Sequence, residues 1–406
     1  MRQTEHARNF VVASASKISV RRFLILAALA VASVVGDSAL AGPPRVSDAA
    51  GAPAFAPNCA NIPAAGRKAE CYGRTISRLV ERSRDPASEI AAVAAEIHAA
   101  GGFIEAACHG VMHGVGRRFG AHRHVTLETL QRYLPRTNDP GCAAGFAHGI
   151  ITYLGPQIVR AGPKGAVRIC NALPTRQRQY TCVHGLGHAY ARVYDDYLQY
   201  AIPLCRKLGR RDGPDCAQGA FMDYWMSIGG RDETKRRPGA SASARVVCGR
   251  WNGTLAMACW YRYFTERPPA DAVVSADSIL RLCHGLAGVQ RAGCIAGAAL
   301  SGASSDPLAQ VRLCAHLRGA DVVNCLRSVP VARLTGSGSK QLQLIRRCSS
   351  VASDVRLGCY RWFGKALAVI SNGRFLRSCG TLRAPFDRRA CVRGARRYNE
   401  ALVTFF

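Results

Sequence analysis

The segment Cys170-Asn-Ala-Leu-Pro-Thr-Arg-Gln-Arg-Gln-Tyr-Thr-Cys182-Val-His184-Gly-Leu-Gly-His188 carries both patterns from which a fold and a candidate site can be read. Its two cysteines are 12 residues apart, and a spacing of 11 or 12 recurs along the chain. In order the couples are Cys59 with Cys71, Cys170 with Cys182, Cys205 with Cys216, Cys248 with Cys259, Cys283 with Cys294, Cys314 with Cys325, Cys348 with Cys359 and Cys379 with Cys391. Cys108 and Cys142, 34 apart, complete the 18. Spacing does not dictate connectivity, but sequential pairing leaves no orphan thiol and predicts nine local bridges.

Successive couples begin at 170, 205, 248, 283, 314, 348 and 379. Self-similarity at about 34 residues marks a helical repeat array. The stretches 88–100, 126–134, 198–208, 276–286 and 342–348 place apolar residues at three- and four-residue steps, and strand-like alternation is scarce. The expected fold is all-α, an array of disulfide-stapled helical hairpins. In each hairpin the first cysteine falls toward the end of the leading helix and the second near the start of the returning one. Closing such a loop of about 12 residues stabilises by roughly 3 kcal/mol. A glycine three residues after the second cysteine, at Gly145, Gly185, Gly219, Gly297 and Gly394, is expected to mark close helix approach, since a helical glycine otherwise costs up to about 1 kcal/mol. In period and staple position this plan resembles the cysteine-stapled, tetratricopeptide-like arrays of exported bacterial proteins. That resemblance implies an α-solenoid whose repeats touch only their neighbours. The Trp, Leu-Gly and Pro positions of the tetratricopeptide consensus are missing.

Arg21 and Arg22 precede a 13-residue apolar run at 23–35, and Ala39-Leu40-Ala41 forms a small-residue cleavage box. Residues 1–41 therefore read as an export signal peptide. The run is shorter than the about 20 residues that span a bilayer, so no transmembrane anchor is expected after cleavage. Residues 42–58, rich in Pro, Ala and Gly, read as a flexible leader. Residues 59–200 then form N-terminal helical repeats and 201–406 C-terminal basic ones. So many cysteines behind an export signal imply an oxidising compartment, periplasmic or secreted. Neither Cys-x2-Cys nor Cys-x2-Cys-His occurs, which argues against thiolate zinc and covalent haem.

The net charge is +29, and 50 cations stand against 24 carboxylates once residues 1–41 are set aside. Of the 55 basic residues only seven are lysines. One reading is an anionic envelope component or another protein as partner. The other is that dispersed arginines simply solvate helix faces. Nucleic acid is not the expected partner of an exported chain.

The second pattern is a six-residue block occurring three times: His109-Gly110-Val111-Met112-His113-Gly114, Ala144-Gly145-Phe146-Ala147-His148-Gly149 and His184-Gly185-Leu186-Gly187-His188-Ala189. Five of the chain's 11 histidines fall in its two matching columns. His-x3-His on a helix puts two imidazoles on one face, with Cβ atoms about 5–6 Å apart. If the three helices stack, His113, His148 and His188 converge and His109 and His184 join them. The site so predicted is a transition-metal centre of zinc, copper or iron, redox or hydrolytic in function or a metal handler; non-covalent haem ranks below. No His-Glu-x2-His is present to indicate a zinc hydrolase. Whether the chain is an enzyme stays open, as does acid–base chemistry without metal. The competing reading is a non-enzymatic scaffold whose histidines are satisfied polar core residues. Met222, Asp223 and Glu266 follow the blocks at related places, as ligands, as acceptors behind the ligands or as packing residues. Asp195-Asp196 could accept from imidazoles, while His284 and His316 are expected to belong to the framework.

Overall fold

Helix starts are written in local sequence. Asp85 stands before Pro86 and accepts from Ser88 N at 3.4 Å, and Thr175 accepts from Arg178 N at 3.3 Å. Ser275 and Ser278 form a reciprocal capping box, and Asp306, before Pro307, accepts from Leu308 N and Ala309 N. Each cap satisfies backbone donors that the first helical turn leaves without partners.

The computed structural model describes residues 53–228, 243–267, 275–301 and 306–404; the export signal read at 1–41 lies outside them. In chain order the helices are α1 (Ala65–Arg82), α2 (Pro86–Ala100), α3 (Gly102–His122), α4 (Leu130–Tyr133), α5 (Cys142–Tyr153), α6 (Gly155–Asn171), α7 (Arg176–Val193), α8 (Leu198–Arg206) and α9 (Gly209–Ile228). They continue as α10 (Ala244–Cys248), α11 (Gly253–Glu266), α12 (Ala276–Leu282), α13 (Gly288–Ser301), α14 (Pro307–Ala315), α15 (Ala320–Leu326), α16 (Gly338–Arg346), α17 (Ser353–Ile370), α18 (Phe375–Cys379) and α19 (Pro385–Ala395). No strand occurs among the described residues, and none of their helices is long and apolar enough to cross a membrane.

All nine sequential bridges are present, and every one of the 18 cysteines is used. Seven of them join the end of an even-numbered helix, or the turn after it, to about the second turn of the next odd one. Cys170 is bonded to Cys182 on α7, Cys205 to Cys216 on α9, Cys248 to Cys259 on α11 and Cys283 to Cys294 on α13. In the same pattern Cys314 is bonded to Cys325 on α15, Cys348 to Cys359 on α17 and Cys379 to Cys391 on α19. Cys59, on a short 3-10 turn, is tied likewise to Cys71 on α1. The exception is the bridge from Cys108 to Cys142, which fastens the second turn of α3 to the first residue of α5. It therefore links two odd helices directly.

The odd helices pack one against the next from α1 to α19 and share an apolar core that runs from Ala56 to Val403. Central α5 is buried from Cys142 through Ile151, histidine included, as expected of a helix surrounded by others.

The structure departs from the sequence pattern in several places. Only 130–133 of the stretch 126–134 is helical, because Thr126 and Thr129 bond to each other and to local backbone instead. The helix expected over 276–286 ends at Leu282, where Gly285 takes a positive φ of 71°. The end of the supposed leader is docked, with Ala56 buried and Phe55 N donating to Glu96 Oε1 at 3.1 Å. Nor do helices meet only their neighbours. Helix α17 touches α7, and the tail beyond α19 crosses back over α7 and α9. There Leu402 N donates to Asp215 Oδ1 at 2.7 Å, Gln218 Nε2 donates to Val403 O, and Arg176 donates to Glu400 O at 3.3 Å. Polar groups buried beneath the tail would otherwise lack partners, which is the physical reason the chain closes on itself.

Arg176 and Asp215 anchor that closure as an ion pair 2.6 Å apart, with 1% and 0% of their side chains exposed. Removing one partner strands the other in the core, at a cost of about 3–5 kcal/mol. Asp215→Ala is therefore expected to lower stability by that amount in urea titration. A loss of less than about 1 kcal/mol would show that the closure carries no weight.

Candidate metal centre

The three histidine blocks lie on α3, α5 and α7, which pack in that order. What brings α3 and α5 close is the absence of side chains at their crossing. A Cβ on Gly145 would stand 2.3 Å from His109 O and one on Gly149 2.3 Å from His113 O, and α9 meets α7 in the same way, with a Cβ on Gly219 2.0 Å from His184 O. The carbonyls in contact belong to the histidines themselves. Gly145, Gly219, Gly297 and Gly394 of the glycine column thus mark close backbone approach, as expected, whereas Gly185 faces the side chains of Ile151 and His148.

All five imidazoles converge. Ring centroids are 5.0 Å apart for His109–His113 and 4.9 Å for His184–His188, the two pairs within single helices. Between helices they are 5.2 Å for His109–His148 and His113–His148, 4.8 Å for His113–His188, 4.9 Å for His148–His184 and 5.0 Å for His148–His188. Two triads, His109/His113/His148 and His148/His184/His188, each hold ligand atoms within 4.8 Å of one another. His113 Nε2 lies 3.3 Å from His109 Nε2. Two nitrogens on one tetrahedral ion at about 2.0–2.1 Å stand about 3.4 Å apart, so this pair already has the required separation.

The remaining nitrogens sort into held and orphaned ones. His109 Nδ1 pairs with Gly141 O at 3.1 Å and His148 Nε2 with Thr181 O at 3.0 Å, contacts that orient the rings as carbonyls behind the ligands do in metal sites. His188 Nδ1 is 3.4 Å from Asp223 Oδ1, an ion-pair contact that makes no hydrogen bond. His148 Nδ1, His184 Nδ1 and His188 Nε2 are buried with neither a hydrogen-bond partner nor an ion-pair contact. Burying a polar atom without a partner costs about 1–3 kcal/mol, so three such atoms aimed into one cluster call for a shared partner.

His148, His184 and His188 are 3%, 2% and 0% exposed, while His109 and His113 keep an edge toward solvent. Desolvation nonetheless leads the electrostatics. With the repulsion of His188 and Arg262 it pushes His109 down to about 4. His113, His148 and His184 are likewise held well below the ordinary histidine range by burial and by one another. These rings are therefore neutral at pH 7, the form in which a ring nitrogen can bind metal. Burial raises Asp223, but His188 and Arg192 outweigh it and keep the carboxylate below its usual value.

A cavity of about 30 Å³ adjoins the rings, lined by His109, His148, His184, Tyr180, Met222 and Arg262 among others. That is room for a water-sized ligand. Tyr180 and Arg262 were not legible as site residues. They come from outside the blocks and meet at Gln218 Oε1, with Tyr180 Oη donating at 2.8 Å and Arg262 also donating to it. Glu266, expected near the site, lies 3.6 Å from Arg262 and offsets its charge. Asp195 and Asp196 turn the chain after α7 with positive φ, and His284 and His316 are exposed framework residues. A third grouping, His98, Asp139 and Cys142, offers no thiolate because Cys142 is bridged.

Compared with family models, with curated proteins and with solved structures, the chain matches none.

Gly145→Ala should force α3 and α5 apart and cost about 1–3 kcal/mol of stability. Gly110→Ala, on the same α3 with nothing within 4 Å of its Cβ, is expected to be neutral or stabilising. Thermal melts of the two variants separate crossing effects from helix propensity, and equal melting points would contradict the close-approach account. His109, His113, His148 and His184 also set a pH dependence. Because their folded values are depressed, the unfolded chain takes up protons first. In chelator, stability should be fully present above about pH 6.5 and should fall as pH drops toward about 4. Urea midpoints across that range test this, and a flat profile would mean that the rings are not buried neutral.

Proposed function

We propose that this is an exported protein that holds one transition-metal ion on His109, His113, His148, His184 and His188. The observation that carries the reading is the set of three orphaned, buried imidazole nitrogens within one cluster of five rings. His148 belongs to both triads, but its Nε2 is committed to Thr181 O, so Nδ1 alone is left to ligate. One ion shared by the triads uses that nitrogen once.

Imidazole ligands suit zinc, copper or iron. The adjoining cavity of about 30 Å³ has no room for a porphyrin, which argues against haem, and none for a polymeric substrate. The reading favoured is therefore a redox or metal-handling centre whose outer ligand is water-sized, rather than a hydrolase. Nine bridges with no free thiol favour an oxidising, periplasmic or extracellular location. A tetratricopeptide-like solenoid with a unit of about 34 residues remains the proposed architectural plan. A purely structural role for the histidines would call for partners at each buried ring nitrogen, and His148, His184 and His188 each leave at least one without a hydrogen bond.

Protein purified from its export compartment should contain about one metal ion per chain by elemental analysis. His113→Ala, His148→Ala and His188→Ala combined should abolish it, with helical content retained in circular dichroism. Metal-free wild-type protein whose melting point is unaffected by added zinc, copper or iron would sink the reading.

A further inference from the structure

A second cavity, of about 800 Å³, is lined by parts of the chain that the histidine centre does not use. Six cations surround it: Arg210 and Arg211 at the start of α9, Arg327 just after α15, Arg361 and Lys365 on α17, and Arg397 just past α19. Among the described residues the one carboxylate lining it is Glu400, 2.5 Å from Arg397 Nε and 3.8 Å from Lys365 Nζ. Arg211 also has its neighbour Asp212, at 2.8 Å. The cations outnumber these two carboxylates threefold.

Arg327 is the most telling of them. Its Nε is buried without a hydrogen-bond partner, and its Nη1 donates to Met257 Sδ at 3.1 Å, a weak acceptor for a guanidinium. Its guanidinium lies 5.8 Å from the Trp362 ring centroid. Burial holds Arg327 below the ordinary guanidinium value. Lys365, whose Nζ donates to Ala401 O at 2.7 Å, is pushed down to about 8 by burial, against the pull of Asp215 and Glu400. A hollow that partly desolvates cations without matching carboxylates is destabilising as it stands, and an entering anion relieves it.

The occupant's chemistry follows from the lining. A volume of about 800 Å³ falls in the range of small-molecule sites, about 300–1,000 Å³. Guanidinium forks match the oxygens of phosphate, and several cations around one hollow favour dense negative charge over a single carboxylate. Trp362, Val323 and Met257 supply an apolar wall. We propose that this cavity binds a small phosphate ester, free in solution, with its charged end on Arg327, Arg361 and Lys365 and its uncharged part against Trp362. A bilayer or an acidic polymer would be met by a face, whereas these groups line a hollow. The proposal is independent of the metal centre.

The test is calorimetric titration of the full chain with inorganic pyrophosphate at low and at physiological salt. Saturable binding at one site per chain is expected, weakened at least tenfold by Arg327→Gln and by Lys365→Met. Arg361→Gln, at an exposed position, should weaken it too and serves if the buried variants fail to fold. Arg389→Gln, at an exposed arginine stacked on Phe386 outside the cavity, should bind within twofold of wild type. The triple histidine variant should also bind normally. If the cavity variants titrate like Arg389→Gln, the attraction is general surface charge and the proposal fails. It fails equally if the protein binds phosphatidylglycerol vesicles while pyrophosphate neither binds nor competes, since the phosphate recognised would then be a lipid headgroup at a face.

Discussion

Contact between helix backbones where no Cβ intervenes is the constraint on which the centre of this protein depends. At Gly145, Gly149 and Gly219 the neighbouring carbonyl lies within 2.3 Å of where a Cβ would stand, and in each case it is the carbonyl of a site histidine. At the α3–α5 crossing this separation brings the rings of His109 and His113 within about 5 Å of His148. A side chain at the α3–α5 crossing would move the helices apart and take His109 and His113 away from His148.

The arrangement carries costs that other features offset. Glycines weaken isolated helices, and buried imidazoles forgo water. The bridges supply rigidity where these costs fall. Cys108–Cys142 ties α3 to α5 at the end of the crossing that carries His109 and Gly145, while Cys170–Cys182 and Cys205–Cys216 fix the second turns of α7 and α9. From the other side the tail caps α7 and α9 through Asp215 and Gln218. Gln218 links the two regions, since it receives Tyr180 and Arg262 beside the histidines and donates to Val403 in the tail.

Charge is partitioned between the two regions of interest. Around the histidines Asp223 lies beside His188 and Arg192, and Glu266 beside Arg262. In the larger cavity cations gather with little compensation.

The sequence by itself determined the helical class, through three- and four-residue apolar steps, and pointed to sequential disulfide pairing, through eight couples 11 or 12 apart. It also placed five histidines in register, because the repeated block is a local pattern that survives folding. Tertiary structure alone decided which ring nitrogens are orphaned, since Thr181 and Gly141 hold His148 and His109 from other segments. It alone brought Tyr180 and Arg262 to the site and folded the tail onto Asp215, 187 residues away. Such contacts join positions that no periodicity relates, and buried polar groups choose them by the partners available in the folded core.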